Sequence, residues 1–197
     1  MKRLSVGLIV VAFTVAACGH YLPQQGWVEL FDGTNATLGN WDRLGGANWR
    51  IEDGAVVADK SSSKGASFLV SKNSYKDFEV RIEFWSSDDA NSGIFMRCQN
   101  VKDINDENCY EANIFDQRPD PAYRTGGVVH RARPAAQVNA GGRWNTYDIT
   151  ARGPRITVSL NGVPMVDVQN SELTRGPIAL QYAAGTVKFR SVRVRPL

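Results

Sequence analysis

Between residues 78 and 85, Phe78, Val80, Ile82 and Phe84 alternate with Glu79, Arg81, Glu83 and Trp85. A period of two predicts a strand with one buried face. Further on, Ile156 to Leu160 and Val163 to Val166 flank Asn161-Gly162. Asn-Gly between two apolar runs predicts a tight hairpin. Gly153-Pro154 separates that hairpin from a strand near Tyr147 to Thr150. Two closing strands are predicted at Ile178 to Tyr182 and Val187 to Val194, with Ala183-Ala184-Gly185 between them. In the last strand Lys188, Arg190, Arg193 and Arg195 change phase. A bulge near Ser191 would reconcile them, leaving Phe189, Val192 and Val194 buried beneath a solvated basic face. No segment carries a 3.6-residue period, and turn residues recur every 8 to 12 positions. The pattern predicts an all-β sandwich or barrel in a single domain.

Composition narrows the function more than the fold. The chain has 197 residues, 43% hydrophobic and 22% charged, which is ordinary for a globular protein. Its formal charge is only +3, and +1 without Lys2 and Arg3, so nothing global favours nucleic acid or an acidic surface. Those two cations open a pattern of their own. Leu4 to Val15 is an apolar run, too short to span a bilayer comfortably, followed by Ala16, Ala17 and Cys18. Val15-Ala16-Ala17-Cys18 resembles a bacterial lipobox; the alternative is an ordinary secretory signal. The expected organisation is a signal peptide over residues 1–17, lipidated Cys18 with a tether over 18–26, and a β-sandwich over 27–197. The domain would then be exported and anchored to the cell envelope, on its periplasmic or outer side, touching membrane only through the lipid.

With Cys18 lipidated, Cys98 and Cys109 remain as a pair in an oxidising compartment, separated by ten residues. A disulfide is expected over two free thiols. The spacing fits no zinc motif. Walker A, Rossmann, HExxH, CxxC and GxSxG patterns are all absent. Polar and aromatic residues concentrate instead between Asn91 and Arg133. Asn91 to Arg97 reads as one strand and Tyr110 to Asp116 as another, with Glu111 and Asn113 on one face. A long Pro-rich loop, Gln117 to Gly127, follows, then Val128-Val129-His130-Arg131. If Cys98 and Cys109 sat opposite each other in a regular ladder, Glu111 would face Met96 and Arg97 would point away. A direct Arg97–Glu111 pair therefore competes with that arrangement. Asp103, Asp106 and Glu107 form an oxygen-rich loop without EF-hand spacing, read as a solvated acidic turn.

Ordered motifs now point to a family. Trp27-Val28-Glu29-Leu30-Phe31-Asp32-Gly33, Asn40-Trp41, Trp49 to Gly54, Asp77-Phe78-Glu79 and Asn91 to Arg97 occur in sequence. Tyr110 to Asp116, Thr125-Gly126-Gly127, Trp144-Asn145-Thr146, Leu160-Asn161-Gly162 and Phe189-Arg190 follow. Together they resemble the 3-keto-disaccharide hydrolase domain family, over about residues 27 to 197. The resemblance implies a concanavalin A-like jelly roll of two antiparallel sheets that cleaves glycosides oxidised to a ketone at C3. The ketone acidifies the C2 hydrogen, a base removes it, the C1 substituent leaves, and water adds. A bound divalent metal could serve as the electrophile.

Carried over by motif, the implied catalytic residues are Glu111, His130, Arg97 and Asp116. Glu111 or His130 would be the base and Arg97 the cation for the enolate. Asp116 would orient His130 or bind metal. Asn91, Asn113, Tyr110, Tyr123 and Gln181 would contact the sugar, with Trp85 a further platform whose plainer reading is core packing. The chain departs from the family in two places. Relatives often have Gln where Asn113 stands, and an acidic-His pair where Tyr182-Ala183 follows Leu180-Gln181. A non-catalytic glycan-binding lipoprotein on the same fold is therefore the alternative. An envelope protein with a purely structural role is a third. An enzyme requires Glu111, His130 and Arg97 to converge.

Overall fold

A computed structural model of the chain describes residues 26–197. The expected signal, Cys18 and nearly all of the tether lie outside the described residues. Among the described residues no helix is long and apolar enough to cross a membrane.

Two antiparallel sheets form a jelly-roll sandwich. The larger runs β11 (Val163–Gln169), β10 (Arg155–Leu160), β9 (Trp144–Arg152), β6 (Phe78–Ser86), β13 (Val187–Pro196), β4 (Ala55–Ala58) and β3 (Arg50–Glu52). Its eighth strand, β1 (Val28–Phe31), also pairs with β13. The smaller sheet runs β2 (Trp41–Leu44), β5 (Ser67–Tyr75), β12 (Gly176–Tyr182), β7 (Ser92–Met96) and β8 (Tyr110–Ile114).

The sequence pattern accounts for the larger sheet. Phe78, Val80, Ile82 and Phe84 all point inward, and their polar neighbours face solvent. Asn161 and Gly162 take φ of 52° and 80°, the left-handed pair that a two-residue hairpin between β10 and β11 demands. In β13 the register with β6 slips between Phe189↔Phe84 and Ser191↔Glu83. This bulge restores phase, so that Phe189, Val192 and Val194 are all fully buried.

The smaller sheet differs, because β7, β8 and β12 are buried on both faces. Inward, Ile94, Met96, Tyr110, Ala112, Ile114, Ile178 and Leu180 join the main core. Outward, Phe68, Val70, Phe95 and Ala179 form a second apolar cluster with Ile104 and the two cysteines. Cys98 and Cys109 are joined by a disulfide that closes the intervening loop, residues 99–108, over this outer face.

Candidate active site

The site is built on the covered outer face of the smaller sheet. β8 pairs with β7 as Gly93↔Asn113, Phe95↔Glu111 and Met96↔Tyr110. That register corrects the regular ladder considered from the sequence: Glu111 lies opposite Phe95, not Met96. The ladder stops at Arg97, whose φ of 53° is left-handed and takes the chain out of the strand. The cysteines therefore bridge outside the ladder.

Glu111 is 4% exposed, and among the described residues its carboxyl forms no hydrogen bond or ion pair. It folds flat over Gly93: a Cβ there would lie 2.6 Å from Glu111 Oε1 and 3.0 Å from its Cγ. Burial, and to a lesser extent the negative charge of Asp106, raise its pKa to about 8 against the opposing effect of Arg118. A carboxyl left without a donor in such surroundings keeps its proton at neutral pH, by about ten to one at pH 7.

Two loops frame this carboxyl. The disulfide-closed loop supplies Asp106, whose Oδ2 is 3.1 Å from His130 Nε2. His130 sits in a tight turn with φ of 60°, not in a strand, and Val129 N donates to the backbone oxygen of Glu111 at 3.0 Å. Its ring packs edge-on against Tyr123, with centroids 5.5 Å apart. The guanidinium of Arg118 covers the same tyrosine at 5.8 Å. Tyr123 comes from a short 3-10 turn, Pro121–Tyr123, started by Pro121 and capped by Asp120 Oδ1, which accepts from Ala122 N at 2.9 Å. The loop's base is pinned to β8. Thr125 Oγ1 accepts from Phe115 N at 2.9 Å, and Tyr147 OH donates to Asn113 O at 2.5 Å while accepting from Gly126 N at 2.8 Å. Gly126 takes a φ of 92°, which residues with side chains rarely adopt, and a Cβ there would press on Met165 Cε at 2.4 Å. On the neighbouring row, Asn113 Nδ2 donates to Tyr123 O at 2.5 Å.

The structure thus groups Glu111, His130, Asn113, Tyr123 and Gln181 on or beside one face. Five residues considered for the site stand elsewhere. Arg97 is 1% exposed and donates to Lys76 O (2.9 Å), Gly153 O (2.9 Å) and Leu173 O (3.1 Å), with Asp77 at 3.2 Å. It is a buried tie between loops, because its left-handed backbone turns the side chain away from Glu111. Desolvation lowers its pKa, partly offset by Asp77. Asp116 does not orient His130. It accepts from Thr125 Oγ1 (2.5 Å), Ala140 N (2.8 Å) and Gly141 N (2.9 Å), which fixes the loop bases. Tyr110 is fully buried on the inward face, its OH donating to Asn170 Oδ1 at 2.5 Å and accepting from Leu173 N at 2.9 Å. Asn91 holds its place through backbone bonds to Ala183 and Ala184, at the end of the Gly93 row. Trp85 is neither core nor site: it lies on the outer face of the larger sheet, with Lys188 Nζ 5.2 Å from its ring centre.

Asp106 and Arg118 were missed as site residues. The acidic loop and the Pro-rich rim that carry them were both visible in the sequence, but loops show no periodicity from which a contact can be inferred. Among the described residues no three His, Cys, Asp or Glu side chains cluster as a metal centre needs. Asp106 and His130 make only a pair, so the donor set does not fit a divalent ion.

The fold is that of concanavalin-like sandwiches. A solved structure of a provisionally assigned glycosyl hydrolase from Parabacteroides distasonis superposes with a TM-score of 0.76 at 22% identity, covering 87% of this chain and 94% of that one. Carbohydrate-binding module CBM66 from Bacillus subtilis gives 0.62 at 17% identity, over 79% and 95%. A Bacillus subtilis protein of unknown function with a galectin-like fold gives 0.60 at 11%, over 85% and 94%. Among curated proteins none matches. In sequence, residues 26–195 match the 3-keto-alpha-glucoside-1,2-lyase-like domain, and the chain belongs to that family. Its function is accordingly glycan-related, in hydrolysis or in binding.

Proposed function

We propose that the protein cleaves 3-keto-glycosides by elimination followed by hydration, at the face where Glu111 meets the Asp106–His130 pair. The observation that carries this reading is Glu111, a buried residue whose carboxyl makes no hydrogen bond or ion pair among the described residues and whose pKa burial raises to about 8. A carboxylic acid so held is a proton donor looking for an acceptor.

The roles follow from the groups present. With Nε2–H given to Asp106, His130 keeps Nδ1 as an acceptor, suited to take the proton from C2 of the oxidised ring. The electron pair of the broken C2–H bond forms the enolate, whose charge Arg118 offsets. Collapse of the enolate expels the C1 substituent, and Glu111 protonates the departing oxygen. Water then adds at C1: Glu111, now a carboxylate, removes its proton, and the His130 imidazolium returns one to C2. Arg118 takes the role that the family resemblance implied for Arg97. Only water is consumed, and Glu111 and His130 return to their starting protonation states.

The family supports the 3-keto substrate, and the lipobox-like Val15-Ala16-Ala17-Cys18 supports export and anchoring to the cell envelope through a lipid on Cys18. A second reading, a glycan-binding protein without catalysis, is favoured by Tyr182-Ala183 standing where relatives have an acidic-His pair. One assay separates them. The purified protein is given a 3-keto-glucoside with a chromogenic leaving group, with and without divalent metal, alongside Glu111→Gln and His130→Ala. Release that both substitutions abolish supports cleavage at this site. Glycan binding with no release from folded wild-type protein supports the second reading.

A further inference from the structure

A hollow of about 340 Å³ lies on the outer face of the larger sheet, on the far side of the sandwich from Glu111. Trp27, Arg81, Thr150, Arg193 and Arg195 line it, with Glu79 and Asp148. Strand register sets its floor: Arg193 of β13 stands directly opposite Arg81 of β6, and Arg195 opposite Glu79. The three arginines are not equally satisfied. Arg195 gives an end nitrogen to Glu79, and Arg81 gives Nε to Asp148 at 2.5 Å. Arg193 makes no hydrogen bond among the described residues; its one ion pair there is to Glu29, at 3.8 Å. The Nε–H groups of Arg193 and Arg195 are buried without an acceptor. Like charges directly opposite on adjacent strands, about 5 Å apart, repel. An anion held between Arg81 and Arg193 turns that repulsion into attraction, and a guanidinium short of acceptors is suited to take one in bidentate fashion.

Trp27 decides what kind of anion fits. Its half-buried indole lies against two of the guanidinium groups, with Arg193 Cζ 5.9 Å and Arg195 Cζ 5.2 Å from the ring centre. An inorganic anion uses the arginines and leaves the indole idle. A sugar ring carrying a carboxylate uses both: its oxygens accept from the guanidinium N–H groups, and its C–H face packs on the indole. Thr150 adds a hydroxyl for those of the ring. We propose that this hollow binds the carboxylate-bearing ring of an acidic glycan, a uronic acid unit, as a second sugar site separate from the Glu111 face. The family's glycan-related function favours a sugar as the carrier of the charge, and the inference does not depend on cleavage at Glu111. Because the two sites lie on opposite outer faces, a chain held in the hollow leaves the Glu111 face free.

The test titrates the purified protein, by calorimetry, with tri-galacturonic acid and with its methyl ester, in which the same rings carry no charge. The acid should bind at least tenfold more tightly and lose affinity as salt is raised. Arg193→Gln and Trp27→Ala should each weaken acid binding about tenfold, the loss of one charge-assisted hydrogen bond or of one stacked ring. Arg155→Gln, which breaks an ion pair elsewhere on the same face, should leave it unchanged. Arg193→Gln reads the hollow should Trp27→Ala fail to fold. Equal binding of acid and ester, no binding of either, or affinity for the acid that survives both substitutions would overturn the site. Acetate that displaces the trisaccharide at equal concentration would overturn the sugar ring as its ligand. Binding to phosphatidylglycerol vesicles with none to the trisaccharide would overturn the proposal in favour of a lipid surface.

Discussion

The outer faces of the two sheets carry polar residues under opposite rules. On the larger sheet most charged side chains find a partner in the open, although Arg193 Nε and Arg195 Nε are buried without a hydrogen bond. Arg81 pairs with Asp148 at 2.5 Å, Arg155 with Asp167 at 2.7 Å, Arg190 with Glu83 at 2.5 Å, and Arg195 with Glu79. Arg190 also lies 4.3 Å over the Trp144 ring. Such pairs are solvated and contribute little each. On the smaller sheet Glu111, Asn113 and Gln181 are buried; Asn113 Oδ1 and Gln181 Oε1 have no donor, and among the described residues the Glu111 carboxyl makes no hydrogen bond or ion pair. The first face gains solubility from many weak contacts. The second gives up stability at three adjacent positions, which a fold retains when a ligand makes up the difference. The basic stripe in β13, conspicuous in the sequence, belongs to the first face. The chemistry belongs to the second.

The contrast is broken most severely at Glu111. Glu111→Gln should lower leaving-group release by about 10²–10⁴-fold, the range for losing a general acid. It should also remove a pH dependence of stability. The folded pKa of Glu111 is raised to about 8, so its stabilising contribution is full below about 4.5 and is lost as pH rises through 8. By chemical denaturation the wild-type protein should weaken by up to about 5 kcal/mol across that interval relative to the Gln variant. Arg97 sharpens the difference between buried and functional. Arg97→Ala strips three carbonyls and Asp77 of their donor and should cost about 3–5 kcal/mol in unfolding free energy. Reducing the Cys98–Cys109 disulfide should cost about 3 kcal/mol, measured by thermal melting with and without reductant. It should also lower activity, because the freed loop carries Asp106 away from His130. The weakest effect belongs to the solvated face: a double-mutant cycle on Arg155 and Asp167 should give under about 1 kcal/mol.

Much of this was legible along the chain, and the legible part was periodic. Alternation placed Phe78 to Trp85, the Asn161-Gly162 turn placed a hairpin, and the phase change at Arg190 to Arg193 placed a bulge. The same period put Glu111 and Asn113 on one face of β8. It failed where the backbone left the strand. Arg97 was carried to the site by its motif, but a φ of 53° turns it into a buried tie. Asp116 was carried likewise and instead caps two backbone amides beyond β8. Asp106 and Arg118 reach the site from loops whose course depends on a disulfide and a 3-10 turn, neither of which leaves a period in the sequence.

The most direct measurement is the pH profile of leaving-group release from a 3-keto-glucoside, for wild-type protein and for Glu111→Gln. With Glu111 as the proton donor, kcat/KM of the wild-type protein falls as pH rises through about 8, and the Gln variant shows only a small residual rate without that limb. A wild-type profile that stays level through pH 8, together with a Gln variant of undiminished rate, would contradict the account.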